Sequence, residues 1–222
     1  MTFRTIRLRN AISFYGIALI TLGAMTTAFV FLADAVLRNR LLEVNRWIME
    51  SLHANATPFL DLIALGFTWL GSTLGVTILS VPFALFLLRR GRVVDLIAFA
   101  TAVLGSVGLT QALKAIFATT RPELFPRLEE VTSHSFPSGH TLTSFCLWGF
   151  MAFWLVRERP HETWRWTVAA GMLMTAALVG ASRVYVGVHW PTDVAGGILL
   201  ATIWIVACLV GERKARTGLN GE

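Results

Sequence analysis

The run AISFYGIALITLGAMTTAFVFLA, residues 11–33, carries no charged side chain over more than 20 residues. A helix rises about 1.5 Å per residue, and a hydrocarbon core of roughly 30 Å takes about 20 residues to cross, so this run is long enough to span a bilayer. Its basic approach (Arg4, Arg7, Arg9) and the Ala33-Asp34-Ala35 that follows also have the form of a secretory signal peptide with a cleavage site. The apolar core of such a peptide is only about 7–15 residues, so the run reads as an uncleaved first span.

Five further apolar stretches follow, at Leu70 to Leu88, Leu96 to Phe117, Thr141 to Val156, Thr167 to Ala181 and Val194 to Val210. The chain of 222 residues is 55% hydrophobic and only 14% charged, with a mean hydropathy of +0.64, which excludes an ordinary water-soluble domain. The expected fold is all-α and polytopic: six transmembrane helices in a single domain over residues 1–222. An additional amphipathic or re-entrant segment is expected after the first helix, within residues 38–66. No low-complexity tract, long polar linker or internal repeat divides the chain. Gly71 and Gly75 allow close helix approach near the start of the second span. Cys146 and Cys208 fall inside spans and read as buried free thiols.

The formal charge is +6, but the basic residues are placed as topology signals and not as a nucleic-acid surface. Arg4, Arg7 and Arg9, then Arg89, Arg90 and Arg92, then Arg157, Arg159 and Arg165, and last Arg213, Lys214 and Arg216 all fall on one side when six spans are counted. The positive-inside rule makes that side the cytoplasm, with both termini there. Arg38, Arg40 and Arg46 stand on the other side, among Asp34, Glu43, Glu50 and Asp61.

Polar residues are costly in so apolar a chain, and three groups of them gather at span ends on the non-cytoplasmic side. Lys114 and Arg121 form the first. Seven residues apart, they share a helix face, but Pro122 disfavours helix at Arg121 and puts it just past the end. Either alone could be a snorkelling cation; together they offer an ammonium and a planar fork for phosphate oxygens. The second group, Pro137-Ser138-Gly139-His140, opens a span. A helix N-terminus with free N–H groups, a hydroxyl and a residue without Cβ is an anion cradle, whereas an ordinary Ser cap leaves His140 unexplained. The third, Ser182-Arg183, His189 and Asp193, brackets the turn into the last span, where Pro191 suits the first helical position. Asp193 falls in the first turn, within reach of the His189 ring, and that contact would fix the tautomer and free the other nitrogen to attack. Between the first two groups runs the polar segment Thr119 to His140, in which Glu129-Glu130 reads as solvated. His53, His134 and His161 read as solvated or interfacial.

These eleven identities, Lys114, Arg121, Pro122, Pro137, Ser138, Gly139, His140, Ser182, Arg183, His189 and Asp193, resemble the three signature motifs of the type 2 phosphatidic acid phosphatase (PAP2) superfamily. Each residue type has about 5–10% usage, so chance is a negligible explanation. The motifs span residues 114–193, and the six-span pattern extends the resemblance over nearly the whole chain.

The resemblance implies a membrane lipid phosphatase. Its nucleophile would be His189, its orienting carboxylate Asp193 and its leaving-group acid His140. Lys114, Arg121, Ser138, Gly139 and Arg183 would form the phosphate-binding shell. Neither metal nor other cofactor is expected, because three cationic side chains can neutralise the equatorial phosphate oxygens. The expected partners are a lipid phosphate, such as phosphatidic acid, phosphatidylglycerol phosphate or a polyprenyl pyrophosphate, and the bilayer, with no nucleic acid and no obligatory protein partner. The implied location is a bacterial inner membrane with the site facing outward. Three other readings remain at this level: a phosphotransferase using the same site, a lipid transporter, and a metal hydrolase built on His140, His189 and Asp193. A transporter predicts charges spread through bilayer depth, whereas these gather at one end.

Overall fold

The computed structural model describes the backbone of residues 3–219 and the side chains of residues 13–218. The side chains of Arg4, Arg7 and Arg9 lie outside the described residues. Eight helices and no strand are present among the described residues: α1 (Phe3–Leu37), α2 (Leu42–His53), α3 (Pro58–Leu70), α4 (Thr73–Arg89), α5 (Val93–Phe117), α6 (Gly139–Glu158), α7 (Trp164–Tyr185) and α8 (Pro191–Leu219). Helices α1, α5, α6, α7 and α8 are each long and apolar enough to cross a membrane.

A sixth crossing comes only from a bent pair, α3 and α4, which meet at 53° and are long and apolar enough only when taken together as one span; within it the helix expected at Leu70 to Leu88 begins at Thr73. The 17 residues of α4 reach about 25 Å, short of a roughly 30 Å core. The break has a local cause: the Ser72 hydroxyl accepts the Gly75 N–H at 3.1 Å and caps a new helix. Gly71 lets the corner press on α7, where a Cβ would stand 2.4 Å from Val179. The close approach expected of this glycine is present.

The connector after α1 holds the expected amphipathic helix, α2, which buries Asn45 and Met49 one turn apart. Its placement is fixed by side-chain hydrogen bonding. The Asn45 amide donates to Thr192 Oγ1 at 2.9 Å and accepts the Thr192 N–H at 3.2 Å, tying α2 to the first turn of α8. α6 is central, packed on α5, α7 and α8; α8 also packs on α1 and α5, and α3 lies along α7. Large apolar side chains such as Leu19, Ile20, Phe31, Leu104 and Ile116 point outward, as a lipid solvent requires. Cys146 and Cys208 are buried free thiols.

Opposite the motif-bearing ends, the helices are joined by an ion cluster. Fully buried Asp95 at the start of α5 accepts Arg157 of α6 at 2.7 Å and also Arg216 of α8. Glu212 accepts Arg157 at 2.6 Å and Arg216 at 2.7 Å, while Arg92 pairs with Glu158. Some of the arginines counted as topology signals are therefore structural as well. Removing one partner of a buried pair typically costs about 3–5 kcal/mol, and the partly exposed arginines here reduce that toward the lower figure. Asp95→Ala is therefore expected to lower the thermal midpoint in detergent by several degrees, with turnover at low temperature retained; an unchanged midpoint would refute the structural role.

Candidate active site

α5 ends where Ala118 takes a left-handed conformation (φ 45°) and returns its N–H to Lys114. Lys114 is thereby left in the last turn, nearly buried, with its ammonium donating to Ser133 Oγ at 3.2 Å. Arg121 follows three residues into the loop and does not extend the helix face. Its guanidinium is held by the chain itself: Nε donates to the Ser133 carbonyl at 2.7 Å, Nη1 to the Val188 carbonyl, and Nη2 to the His134 carbonyl and Ser133 Oγ, each at 3.2 Å. Burial, then the neighbouring Arg183 charge, push Arg121 down to about 10, which leaves it charged at neutral pH.

The loop that carries these contacts is anchored by Phe136, fully buried and packed on Phe29 and Phe117. Two hydrogen bonds onto Thr119, from the backbone N–H groups of Ser135 at 3.0 Å and Phe136 at 2.8 Å, close it. Ser138 then caps α6: its hydroxyl accepts from Thr141 Oγ1 at 2.9 Å, and its N–H donates to the Asp193 carbonyl at 3.0 Å. Gly139 lies against α5, and a Cβ there would meet Thr110 at 2.9 Å. His140 follows in the first turn, its ring edge near Gly71.

Arg183, in the last turn of α7, is 1% exposed and pairs with Glu129 of the loop. The chain then turns through residues 186–190, where the His189 N–H returns to the Arg183 carbonyl at 3.2 Å. His189 Nδ1 lies 3.1 Å from Asp193 Oδ2, and its Nε2 lies 3.4 Å from Arg121 Nη1. The geometry fits a neutral ring that donates from Nδ1 to the carboxylate and presents the Nε2 lone pair toward the cations. Complete burial, followed by the charges of Arg121, Lys114 and Arg183, holds His189 well below the ordinary histidine range. It is therefore unprotonated at neutral pH, as a nucleophile must be.

A cavity of about 490 Å³ unites the parts: Lys114, Arg121, Gly139, His140, Arg183 and His189 all line it. Asp193 stands behind His189, out of the cavity, and the Ser138 hydroxyl is committed to the helix cap. The three sequence groups thus meet at the ends of α5, α6, α7 and α8, as expected. Among the described residues, no group of three or more His, Cys, Asp or Glu gathers in a way that could hold a metal ion.

Three residues that sequence reasoning passed over belong to the site. Fully buried Ser135 donates to Asp193 Oδ2 at 2.5 Å, the same oxygen that meets His189 and the Trp190 N–H. Ser133 bridges Lys114 and Arg121. Glu129, read as solvated, is an ion-pair partner of Arg183. The density of hydroxyls in Ser133-His134-Ser135 was the available signal. His53 is exposed, in keeping with the solvated or interfacial reading, and its ring stacks on Phe125 at 4.0 Å.

Comparison with known proteins places these features. Residues 95–216 match the family model of the PAP2 superfamily. Phosphatidylglycerophosphatase B of Bacillus subtilis (strain 168) is 32% identical over 183 residues, covering 79% of this chain and 86% of that protein. Undecaprenyl-diphosphatase of Sulfolobus acidocaldarius is 35% identical over 132 residues, 57% of this chain and 59% of its own length. The crystal structure of a transmembrane PAP2-type phosphatidylglycerolphosphate phosphatase from Bacillus subtilis superposes with a TM-score of 0.81 at 27% identity, over 87% of this chain and 96% of that one. In its fold and in its sequence, the chain belongs to the PAP2 superfamily and is an integral membrane lipid phosphatase.

Proposed function

We propose that the chain hydrolyses the phosphomonoester of a phosphatidylglycerol phosphate-type lipid through a phosphohistidine on His189, with polyprenyl pyrophosphate as the second substrate to test. One observation carries this reading: His189 is held by Asp193 on one nitrogen while the other faces the cavity shared by Lys114, Arg121, Arg183 and His140. The same cavity continues between Val76, Thr77, Ser80 and Val81 of α4 and Val103, Leu104 and Val107 of α5. Leu104 lies ten residues before Lys114, about 15 Å deeper along α5. A lipid can thus leave its chains in the bilayer while its phosphate reaches the cations. That the similar Bacillus subtilis phosphatase and the Bacillus subtilis crystal structure are both named for phosphatidylglycerol phosphate, whether or not they are one protein, favours this substrate over phosphatidic acid.

In the first step, His189 Nε2 forms a bond to phosphorus as the lipid oxygen leaves, and His140 donates the proton that this oxygen takes up. The Nδ1 proton stays with the ring, and Asp193 stabilises the imidazolium-like charge that develops. Lys114, Arg121 and Arg183 neutralise the equatorial oxygens throughout. In the second step, His140 accepts a proton from the attacking water, the P–N bond breaks, and inorganic phosphate leaves. The motif end faces the periplasm or exterior of a bacterial inner membrane, with both termini cytoplasmic. This orientation rests on the arginines at the opposite helix ends. The reading requires no metal, protein partner or nucleic acid.

A phosphate-release panel of phosphatidylglycerol phosphate, phosphatidic acid and undecaprenyl pyrophosphate in liposomes, run with EDTA and with or without an acceptor lipid, tests it. Release from phosphatidylglycerol phosphate should dominate and survive EDTA; phosphate delivered mainly to the acceptor would make the chain a phosphotransferase. His189→Ala should abolish turnover, and His140→Ala should trap phosphoenzyme from an aryl phosphate whose leaving group needs no proton. Turnover by His189→Ala at the wild-type rate would overturn the nucleophile assignment.

Because Ser135 bonds the carboxylate that orients His189, Ser135→Ala should lower kcat by roughly 10-fold or more with little change in KM, and Ser135→Thr should restore part of it. Equal losses in both variants would deny the hydroxyl a role. The pH profile supplies a further check. A nucleophile with its ionisation pushed down stays competent in acid, so the acid limb of kcat/KM, corrected for substrate ionisation near pH 6, should lie well below the ordinary histidine range. A corrected limb at the ordinary histidine value of about 6.5 would contradict the buried, neutral ring.

A further inference from the structure

We infer that Glu129 is an internal competitor for the phosphate site: its carboxylate occupies Arg183 in the free enzyme and is displaced by the substrate phosphate, so that it sets the affinity for substrate and for released phosphate. The inference rests on the reading of the cavity as a phosphate site. Arg183 is 1% exposed, and the one carboxylate paired with it comes from the loop between α5 and α6, not from its own helix neighbours. That pairing is incomplete. Glu129 engages Nη1, while Nε of the same guanidinium is buried with no hydrogen-bond partner.

A buried guanidinium donor without an acceptor is unfavourable, and a tetrahedral oxyanion can take an Nε and an Nη donor at once through two oxygens. Glu129 reaches the pair from the cavity wall and is about a third exposed, so its carboxylate can swing into water when phosphate arrives. The backbone beneath it need not move. The Leu128 N–H stays on the Val186 carbonyl at 3.1 Å, and Val131 stays packed on Val186 and Val188. The exchange trades one carboxylate for a more highly charged anion that also meets Lys114 and Arg121. After hydrolysis, the returning carboxylate competes with inorganic phosphate for Arg183 and so favours product release.

The alternative role for Glu129, orienting Arg183 for substrate, predicts the opposite sign. Competitive inhibition of the full-length enzyme by inorganic phosphate and by orthovanadate separates the two, with thermal-shift titrations of the same anions as a readout independent of turnover. Glu129→Gln should lower the inhibition constant of both anions and the KM by roughly 3- to 10-fold, as expected for removing a partly exposed competing charge. Glu129→Asp, which keeps the charge on a shorter arm, should fall between, and it serves also if the glutamine variant folds poorly. Glu130→Gln removes an equal charge from the same cavity wall and should have a smaller effect. Unchanged or weakened anion binding in Glu129→Gln, with wild type normally inhibited, would overturn the inference alone. A wild-type enzyme indifferent to both anions would overturn the phosphate site itself, and the competitor with it.

Discussion

Three cations facing one cavity repel one another, and the site end of the fold is arranged around holding them there. At an effective dielectric near 20, two unit charges 4 Å apart interact by about 4 kcal/mol, so Lys114, Arg121 and Arg183 would drift apart unless each were fixed independently. They are fixed by three different elements. The end of α5 sets Lys114, the last turn of α7 sets Arg183, and Arg121 in the α5–α6 loop is set by four hydrogen bonds, three to Ser133 and His134 of that loop and one to the Val188 carbonyl in the turn before α8. Backbone carbonyls neutralise part of the guanidinium charge without adding an anion that would compete fully with phosphate.

The loop itself is held by apolar contacts at its base and polar contacts at its tip. Phe136 sinks between Phe29 and Phe117, which ties the motif end of α6 to α1 and α5. Thr119 receives the next turn of backbone, and Ser138 joins the start of α6 to Asp193 in the start of α8. One displacement at this seam would move the nucleophile's carboxylate, the helix cap and the Arg121 carbonyls together. Residues that never touch a substrate can therefore decide the geometry of those that do.

The parts legible in the sequence are those enforced by short-range rules. Apolar length gave the spans, Pro191 the start of α8, and Ser138 before Gly139 the start of α6. Asp193 in the first turn after Pro191 gave the contact with His189, which stands just ahead of that helix. The misread parts depend on long-range partners. Glu129 looked solvated because no neighbour in sequence is its counterion; Arg183 is 54 residues away. The bend between α3 and α4 was hidden because Leu70 to Leu88 is continuous in hydropathy, and only the Ser72 cap and the Gly71 contact on α7 divide it. Ser135 carries no periodicity or charge, so its bond to Asp193 had no one-dimensional trace.

Charge arithmetic separates the two ends of the molecule. Among the described residues, the far-end cluster joins Arg92, Arg157 and Arg216 to Asp95, Glu158 and Glu212, three cations against three carboxylates, and in that sense is closed. At the site end Glu129 pairs with Arg183 and Asp193 is committed to His189, while Glu130 also stands on the cavity wall; among the described residues no carboxylate forms an ion pair with Lys114 or Arg121. A closed cluster gains nothing by admitting an anion, since each charge already has its complement and a newcomer brings only its own desolvation cost. An open one is completed by a ligand carrying negative charge. Burying unmatched cations lowers the stability of the free protein, and that deficit is recovered on binding, most fully by the species with the most negative charge at the phosphorus. In phosphoryl transfer that charge is spread over the equatorial oxygens these side chains face, so the deficit that weakens the resting fold is the source of its preference for the reacting state.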